Sequence, residues 1–332
     1  MAVLQAVLQA VLDAVVDSLG IRASVTKALI TKTSNYSLGK CMQTAIALSG
    51  SPIATLGECP RWDEKTKRLY WVDIDGFALH AIDPATGQLQ TRQIGQSIGS
   101  FALREAGGFV LALRSGYALL DSFDGPIRAL PSPSWDTAIE RFNDGRCDPQ
   151  GRFWAGTMYE PRDKALARLY RLDSDLTWSV HGAGVTISNG IAVSPDQSTF
   201  YFADTPTHTV LKHDFDPVSG TLGSPTLFLE FLDGKGRPDG ATVDQAGNYW
   251  IALFSGSRVQ CYSRSGQLLE EIAVPTKNPT CLTFGGDDLR TLYITTAKIR
   301  LTAEELAAQP DAGRVFTART AIAGLIEPRF KG

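Results

Sequence analysis

The stretch Asp244-Gln245-Ala246-Gly247-Asn248-Tyr249-Trp250-Ile251 joins a turn to an apolar, aromatic segment with the composition of a β-strand. Segments like its second half recur five more times along the chain. The residues equivalent to Trp250 are Trp71, Val110, Trp154, Phe202 and Ile294, and the six positions are separated by 39, 44, 48, 48 and 44 residues. Turn-forming Asp, Pro and Gly residues precede most copies, so each copy is expected to contain a strand, a tight turn and a further strand.

The six copies predict an all-β fold, a six-bladed β-propeller. Residues 42–332 divide into six units of about 48 residues, the size of a four-stranded propeller blade. Short β-units of this size bury their faces against their neighbours and close into a ring. A pair of β-sandwiches is the alternative, but it gives no reason for an apolar segment repeated six times.

Residues 1–41 are predicted to form a separate N-terminal helical extension with a linker and no assigned role. Apolar pairs recur about every four residues from Val3 to Leu19, as in an amphipathic helix. A secretory signal is the alternative, but Asp13 and Asp17 interrupt the apolar segment and no early Lys or Arg is present. Met42 directly precedes the first strand-like pattern, so the propeller is expected to span residues 42–332.

Composition disfavours several functional classes. The 332 residues include 32 basic and 35 acidic side chains, a formal net charge of −3 that gives no support for nucleic acid or an anionic membrane as partner. No apolar run reaches the length needed to span a bilayer. Five scattered cysteines indicate free thiols in a reducing, cytoplasmic compartment. The four histidines lack zinc-site spacing, and no oligomeric state is predicted.

Polar motifs occur where the innermost strands of several blades are expected to begin. They are Gly57-Glu58-Cys59-Pro60, Arg141-Phe142-Asn143-Asp144-Gly145, Ser188-Asn189-Gly190 and Pro238-Asp239-Gly240. Each motif alone resembles an ordinary turn. Because innermost strands line the central channel, equivalent positions in several blades should converge at its mouth. Glu58, Asn189 and Asp239 would then offer two carboxylates and an amide oxygen, which suit Ca²⁺, Mg²⁺ or Mn²⁺.

These motifs resemble those of the regucalcin/gluconolactonase family, which includes senescence-marker protein and luciferin-regenerating enzyme. The resemblance covers about residues 46–331. Its further motifs are Leu56-Gly57-Glu58-Cys59-Pro60-Arg61-Trp62-Asp63, Ala155-Gly156-Thr157-Met158, Ile187-Ser188-Asn189-Gly190 and Pro279-Thr280-Cys281. Members of this family are six-bladed propellers that hold one divalent metal at the channel mouth, and many of them hydrolyse sugar lactones.

The resemblance implies roles for individual residues. It makes Glu58, Asn189 and Asp239 metal ligands, and it makes Arg141 and Asn143 contacts to the sugar lactone. The family often carries an acidic substrate contact shortly after Gly-Thr-Met. Here Glu160 is assigned that contact, although the sequence departs from the family pattern at Pro161, where the animal members carry Glu.

The sequence thus predicts a metal-dependent lactonase, a carboxylic ester hydrolase. One divalent cation, Ca²⁺ in the first place and Zn²⁺, Mn²⁺ or Mg²⁺ otherwise, would polarise the lactone carbonyl, and Asp239 would act as general base. Two alternatives remain open: a hydrolase of a non-sugar lactone or other ester, and a non-enzymatic calcium-binding propeller. Arg141 and Asn143 favour a polyhydroxylated substrate, because both side chains hydrogen-bond to oxygen atoms.

Overall fold

The computed structural model describes residues 43–332, which form six β-sheets arranged in a ring. The predicted six-bladed β-propeller is confirmed. The predicted N-terminal helical extension, residues 1–41, lies outside the described residues. All six repeated positions lie in the second strand of a blade and are buried; they are Trp71, Val110, Trp154, Phe202, Trp250 and Ile294.

The strands follow one another from the inside of each blade to its outside. Two short strands come first, β1 (Gln43–Thr44) and β2 (Ile46–Ala47). Blade 1 contains β3 (Gly57–Asp63), β4 (Arg68–Asp73), β5 (Ala78–Ile82) and β6 (Leu89–Gln93). Blade 2 contains β7 (Ile98–Leu103), β8 (Phe109–Leu113), β9 (Gly116–Leu120) and β10 (Ile127–Ala129). Blade 3 contains β11 (Glu140–Cys147), β12 (Phe153–Tyr159), β13 (Ala167–Leu172) and β14 (Trp178–Val185).

The second half of the ring follows the same order. Blade 4 contains β15 (Ser188–Val193), β16 (Thr199–Asp204) and β17 (Thr209–Asp216), with β18 (Thr221–Leu222) and β19 (Thr226–Glu230) both paired to β17. Blade 5 contains β20 (Arg237–Val243), β21 (Tyr249–Phe254), β22 (Arg258–Tyr262) and β23 (Leu268–Ala273). Blade 6 contains β24 (Pro279–Gly285), β25 (Thr291–Thr296) and β26 (Phe316–Arg319).

Two sets of contacts close the ring. Each innermost strand packs against the next one, in the order β3, β7, β11, β15, β20 and β24, and β24 packs against β3 again. Strand β2 pairs with β26, with Ile46 opposite Thr317, so a segment from near the start of the described chain forms the outer strand of the last blade. Strand β1 adds to blade 5 in parallel with β23. Closing the ring leaves only short sheet edges unpaired.

A local motif explains why the turns between first and second strands are so regular. In blade 5 the Asp244 carboxylate accepts hydrogen bonds from the amide of Asn248 at 2.9 Å and from Trp250 Nε1 at 3.0 Å. The same pattern recurs in blade 3, where Asp148 accepts from Trp154 Nε1 at 2.9 Å. The repeated aspartate therefore orients both the turn and the buried tryptophan of the following strand.

Helices contribute little to residues 43–332. The one α-helix there, α1 (Ala303–Ala308), begins at Thr302 with a capping box that includes Glu305. A short 3₁₀-helix spans Thr205–Thr207. Within the described part of the chain, no helix has the length and apolar character to cross a membrane. Its four cysteines are buried free thiols; they are Cys59, Cys147, Cys261 and Cys281.

A buried charge cluster closes the end of the channel away from the starts of the innermost strands. The C-terminal segment covers this end, with Gly324 bridged to Asp244 and Phe330 bridged to Arg104. Its Glu327 side chain is buried, and the carboxylate lies 3.2 Å from Arg61 Nε and 2.9 Å from Arg146 Nη1. Glu327 is therefore the counter-ion of two buried arginines on two inner strands.

We predict that Glu327→Ala lowers the free energy of unfolding by about 3–5 kcal/mol, because it leaves two buried guanidinium groups without their counter-ion. Urea unfolding of the purified protein measures this change. Glu105→Ala, which removes an exposed glutamate, serves as control and should change stability by no more than about 0.5 kcal/mol. A change below about 1 kcal/mol in Glu327→Ala would contradict the counter-ion role.

Candidate active site

One cavity, with a volume of 330 Å³, opens where the innermost strands begin. Five of the six predicted site residues line it: Glu58 on β3, Arg141 and Asn143 on β11, Asn189 on β15 and Asp239 on β20. They come from four blades and are up to 181 residues apart in sequence, from Glu58 to Asp239. The cavity volume lies near the lower end of the range of about 300–1,000 Å³ for small-molecule sites.

A β-bulge occurs at the start of every innermost strand, beside the predicted site residues. The pairing register shifts between Glu58 and Arg61, between Asn189 and Ala192, and at equivalent points of the other four blades. A bulge leaves residues unpaired and redirects their side chains. The bulges thus turn polar side chains towards the cavity at one level of the ring.

Two glycines of the motifs are required by close packing between strands. A Cβ atom on Gly240 would lie 2.2 Å from Cys281 Sγ, and one on Gly190 would lie 2.6 Å from the Tyr249 hydroxyl. Gly190 also has φ of +65°, a conformation that favours glycine. The glycine that follows Asn189 or Asp239 therefore lets the neighbouring blades approach beside each site residue.

Two carboxyl groups share the mouth of the channel. Glu58 and Asp239 are both buried, with 8% and 6% of their surface exposed. Burial is the main cause that raises the pKa of each carboxyl group, and the repulsion between them raises the pKa of Asp239 further. The nearby Asp144 carboxylate adds to both shifts. A positive ion between Glu58 and Asp239 would relieve this repulsion.

Asp144 and Cys59 belong to the motifs but have different environments. The Asp144 carboxylate accepts a hydrogen bond from the Ile191 amide at 3.0 Å, and burial raises its pKa. Burial also raises the pKa of the Cys59 thiol to about 11. The thiol therefore stays protonated at neutral pH, which disfavours Cys59 as a nucleophile.

Hydrogen bonds orient the amide of Asn189. The Thr205 hydroxyl donates to the Pro238 carbonyl oxygen at 2.8 Å, so its oxygen accepts from Asn189 Nδ2 at 2.7 Å. Asn189 Oδ1 lies on the other edge of the amide, where it accepts from Asn143 Nδ2 at 3.0 Å. An amide oxygen held in this way keeps a second lone pair for a hard cation.

Asn143 and Arg141 form one connected unit. Arg141 Nη1 donates to Asn143 Oδ1 at 2.8 Å, and Asn143 Nδ2 donates to the Ser188 carbonyl oxygen at 2.9 Å as well as to Asn189. Burial lowers the pKa of Arg141, and the Glu160 carboxylate counteracts this shift. The unit links the predicted substrate contacts to a predicted cation ligand.

Glu160 lies beside Arg141 rather than among the residues that line the cavity. Its carboxylate accepts hydrogen bonds from two nitrogens of Arg114 at 2.8 Å each, and it lies 3.4 Å from Arg141 Nε. The Arg114 guanidinium lowers the pKa of Glu160. In this geometry Glu160 holds two arginines in place, and a direct contact to substrate stays a prediction.

Sequence reasoning missed several residues that line the cavity: Thr205, Arg162, Arg237 and Arg300. Arg237 could have been found, since it directly precedes the Pro238-Asp239-Gly240 motif. Thr205, Arg162 and Arg300 lie in connecting segments that differ from blade to blade, so no repeat pointed to them.

The donor set fits a hard divalent cation. Among residues 43–332, no three His, Cys, Asp or Glu side chains group as a metal site. A cation here would therefore depend on Glu58, Asp239 and the oriented amide oxygen of Asn189. All three donors are oxygens, as Ca²⁺, Mg²⁺ and Mn²⁺ prefer, and the number of protein ligands leaves room for water and substrate.

A second cavity, of 410 Å³, lies at the far end of the channel and is lined by the ends of the innermost strands and the C-terminal segment. Arg146 and Glu327 face it, but these charges pair with each other. Most of its other lining residues are apolar or come from turns; examples are Pro149, Val193, Val243 and Leu325. The chemistry is therefore assigned to the mouth cavity.

Comparisons with known proteins identify the family of this chain. The family model described as the SMP-30/gluconolactonase/LRE-like region matches residues 56–298, a span that contains all six predicted site residues. The chain is 46% identical over 280 residues to 6-deoxy-6-sulfogluconolactonase from Pseudomonas putida, covering 84% of this chain and 96% of the relative. It is 35% identical over 273 residues to regucalcin from Gallus gallus, covering 80% and 91%. The solved structure of a calcium-binding protein, regucalcin from Agrobacterium tumefaciens, superposes with a TM-score of 0.82 at 26% identity, covering 87% of this chain and 97% of that one.

We predict that a divalent cation stabilises the fold more strongly at pH 8 than at pH 6. A carboxyl group whose pKa is raised on folding stabilises the native state below its unfolded pKa of about 4, and this stabilisation is lost as the pH rises through the folded pKa. The cation would compensate for that loss by displacing the protons. Thermal unfolding with EDTA or with Ca²⁺, across this pH range, measures the difference.

Glu58→Gln should lose both the pH dependence and the cation effect, whereas the exposed-site control Glu304→Gln should keep them. An equal Ca²⁺-induced shift at both pH values, or one that persists in Glu58→Gln, would count against a cation at these carboxylates.

Proposed function

The chain belongs to the SMP-30/gluconolactonase/LRE-like family, and we propose that it is an enzyme that hydrolyses sugar lactones with the help of one divalent cation. The family resemblance indicated by the sequence motifs is confirmed. One observation carries the proposal: Glu58, Asn189 and Asp239 line a single cavity together with Arg141 and Asn143. The name of the sulfogluconolactonase relative supports a sugar lactone as substrate, and the calcium-binding regucalcin supports a cation.

Glu58, Asp239 and Asn189 would hold the cation. When bound, it would polarise the lactone carbonyl and lower the pKa of a nearby water molecule. We favour Ca²⁺, because every donor is an uncharged or carboxylate oxygen and the site keeps open positions. Zn²⁺, Mn²⁺ and Mg²⁺ are the other candidates.

Asp239 is the proposed general base. Its carboxylate would accept a proton from water while the water oxygen forms a bond to the lactone carbonyl carbon. The ester bond between that carbon and the ring oxygen then breaks, and the ring oxygen takes up a proton, which gives an open-chain hydroxy acid. Asp239 would pass this proton to the ring oxygen and so end the step as a carboxylate again.

Arg141 and Asn143 would orient the substrate. The guanidinium of Arg141 is buried and held by Asn143 and Glu160, so it presents its remaining N–H groups in a fixed direction. Such preorganised donors hydrogen-bond to hydroxyl and carbonyl oxygens of a sugar ring. Glu160 would act through Arg141, which it positions together with Arg114.

Hydrolysis of a non-sugar lactone is the second candidate function. Part of the cavity wall is apolar, and the side chains concerned are Leu56, Ile74, Met158, Ile187, Phe254 and Ile299. This wall would suit an aliphatic lactone as well as the carbon face of a sugar ring.

We place the enzyme in the cytoplasm, since its four described cysteines are free thiols.

Asp239→Asn is expected to lower kcat for a gluconolactone by about 10²–10⁴-fold, the usual contribution of a general base, while it keeps an oxygen donor for the cation. A pH-indicator assay at saturating cation measures this loss. The control Asp233→Asn changes a fully exposed carboxylate and should retain wild-type turnover. Near-normal kcat in cation-saturated Asp239→Asn would remove Asp239 as the base.

Removal of divalent cations with EDTA should abolish lactone hydrolysis, because the cation would polarise the carbonyl and activate the attacking water. Addition of Ca²⁺, Zn²⁺, Mn²⁺ or Mg²⁺, each alone, should restore activity with one of them, and the assay should include sugar and aliphatic lactones. Full activity after exhaustive chelation would exclude the cation from the mechanism. Activity on aliphatic lactones alone would favour the second candidate.

A further inference from the structure

We propose that the preferred lactone carries an anionic group, such as a sulfonate, phosphate or carboxylate, at the end remote from its ester, and that Arg162, Arg237 and Arg300 bind this group. The inference rests on the proposed lactonase function and specifies its substrate class. It comes from the charges around the mouth cavity.

The mouth cavity carries more positive than negative charge. Four arginines line it, Arg141 among them, against only two carboxylates, Glu58 and Asp239. A divalent cation on those carboxylates would offset their charge, and Glu160 offsets the charge of Arg141, so the guanidinium groups of Arg162, Arg237 and Arg300 would stay uncompensated. A neutral sugar lactone would not balance this excess, whereas a lactone with an added anion would.

Three of the four arginines have no partner of their own. Arg141 is held by Asn143 and Glu160, but the side chains of Arg162, Arg237 and Arg300 make no ion pair or hydrogen bond within residues 43–332. All three are exposed at the entrance of the cavity. Their N–H groups are therefore available to an incoming ligand.

The backbone fixes where each of these arginines begins. Arg237 opens β20 opposite Phe254, two residues before Asp239, and lines the same cavity as Asp239. Arg162 lies between β12 and β13 with φ of +62°, and its amide donates to the Tyr159 carbonyl oxygen at 3.1 Å.

Arg300 follows β25 with φ of +60°. It is anchored through Ile299, whose carbonyl oxygen accepts from Asn278 Nδ2 at 2.9 Å and whose side chain packs on the core. The three arginines thus reach the cavity from three different blades.

An unpaired arginine alone would be unremarkable. Arg128 on the outer strand β10, for example, is also exposed and makes no side-chain contact within the described residues. Some exposed arginines are paired, as Arg264 is with Asp196 at 2.5 Å. The mouth differs because three unpaired guanidinium groups surround one cavity that also holds the proposed reaction centre.

The test compares kcat/KM for a neutral aldonolactone with kcat/KM for the same lactone carrying a sulfonate, phosphate or carboxylate on its terminal carbon. At low ionic strength, the wild-type enzyme should prefer an anionic lactone by about tenfold or more, and added salt should weaken the preference. In the triple variant Arg162→Gln, Arg237→Gln and Arg300→Gln, the ratio of kcat/KM for the anionic lactone to kcat/KM for the neutral lactone should fall about tenfold. Arg128→Gln should leave the ratio at its wild-type value.

Equal kcat/KM for neutral and anionic lactones in the wild-type enzyme would overturn the proposal. An equal fall of kcat/KM for both lactones in the triple variant would also overturn it, because the arginines would then contribute to ring opening rather than to recognition of the anion. The lactone with the highest kcat/KM among the sulfonated, phosphorylated and carboxylated ones identifies the preferred anion.

A separate measurement distinguishes failure of this inference from failure of the lactonase function. If the cation-loaded enzyme opens no lactone, neutral or anionic, the proposed function fails. Calorimetric binding of the ring-opened hydroxy acids, one with and one without the terminal sulfonate, then tests the arginines without catalysis. Tighter binding of the sulfonated acid by wild type but not by the triple variant supports the anion site, and equal binding overturns it.

Discussion

Compensation of buried charge on the ring axis is the constraint on which the rest of this structure depends. A charge removed from water costs several kcal/mol unless an opposite charge and hydrogen bonds surround it. At the far end of the channel Glu327 meets this requirement for Arg61 and Arg146. At the mouth, Glu58 and Asp239 repel each other instead. The same physical rule thus explains why Glu327 stabilises the far end of the channel and why a cation is proposed at the mouth.

The propeller converts a repeated backbone feature into one asymmetric site. A bulge lies at the start of every innermost strand, so all six blades could present a side chain at the mouth. Blades 1, 3, 4 and 5 use this position for Glu58, Asn143, Asn189 and Asp239. The bulges of blades 2 and 6 carry Gly99 and Thr280, and the Thr280 hydroxyl bonds to the Gly57 carbonyl oxygen at 2.6 Å. Gly99 and Thr280 do not line the mouth cavity, so blades 2 and 6 complete the ring and support the neighbouring blades.

Reaction and substrate choice are carried by different parts of the molecule. The proposed ligands and base lie on buried strands, where packing against two neighbouring blades holds them in place. Two of the arginines proposed to select an anionic lactone, Arg162 and Arg300, lie on exposed connections that can vary without disturbing the core. Related lactonases could therefore keep the same chemistry while the connections change the substrate.

The sequence by itself determined the ring and much of its centre, because turn residues and apolar strand segments act locally and repeat six times. It also pointed to Glu58, Asn189, Asp239, Arg141 and Asn143, which line the mouth cavity because equivalent strand positions must meet in a closed ring. Only the tertiary structure decided that Glu160 lies behind Arg141, that Glu327 pairs with two distant arginines, and that Arg162 and Arg300 face the cavity. These placements depend on how irregular connections and the C-terminal segment fold over the blades, and no local pattern encodes them.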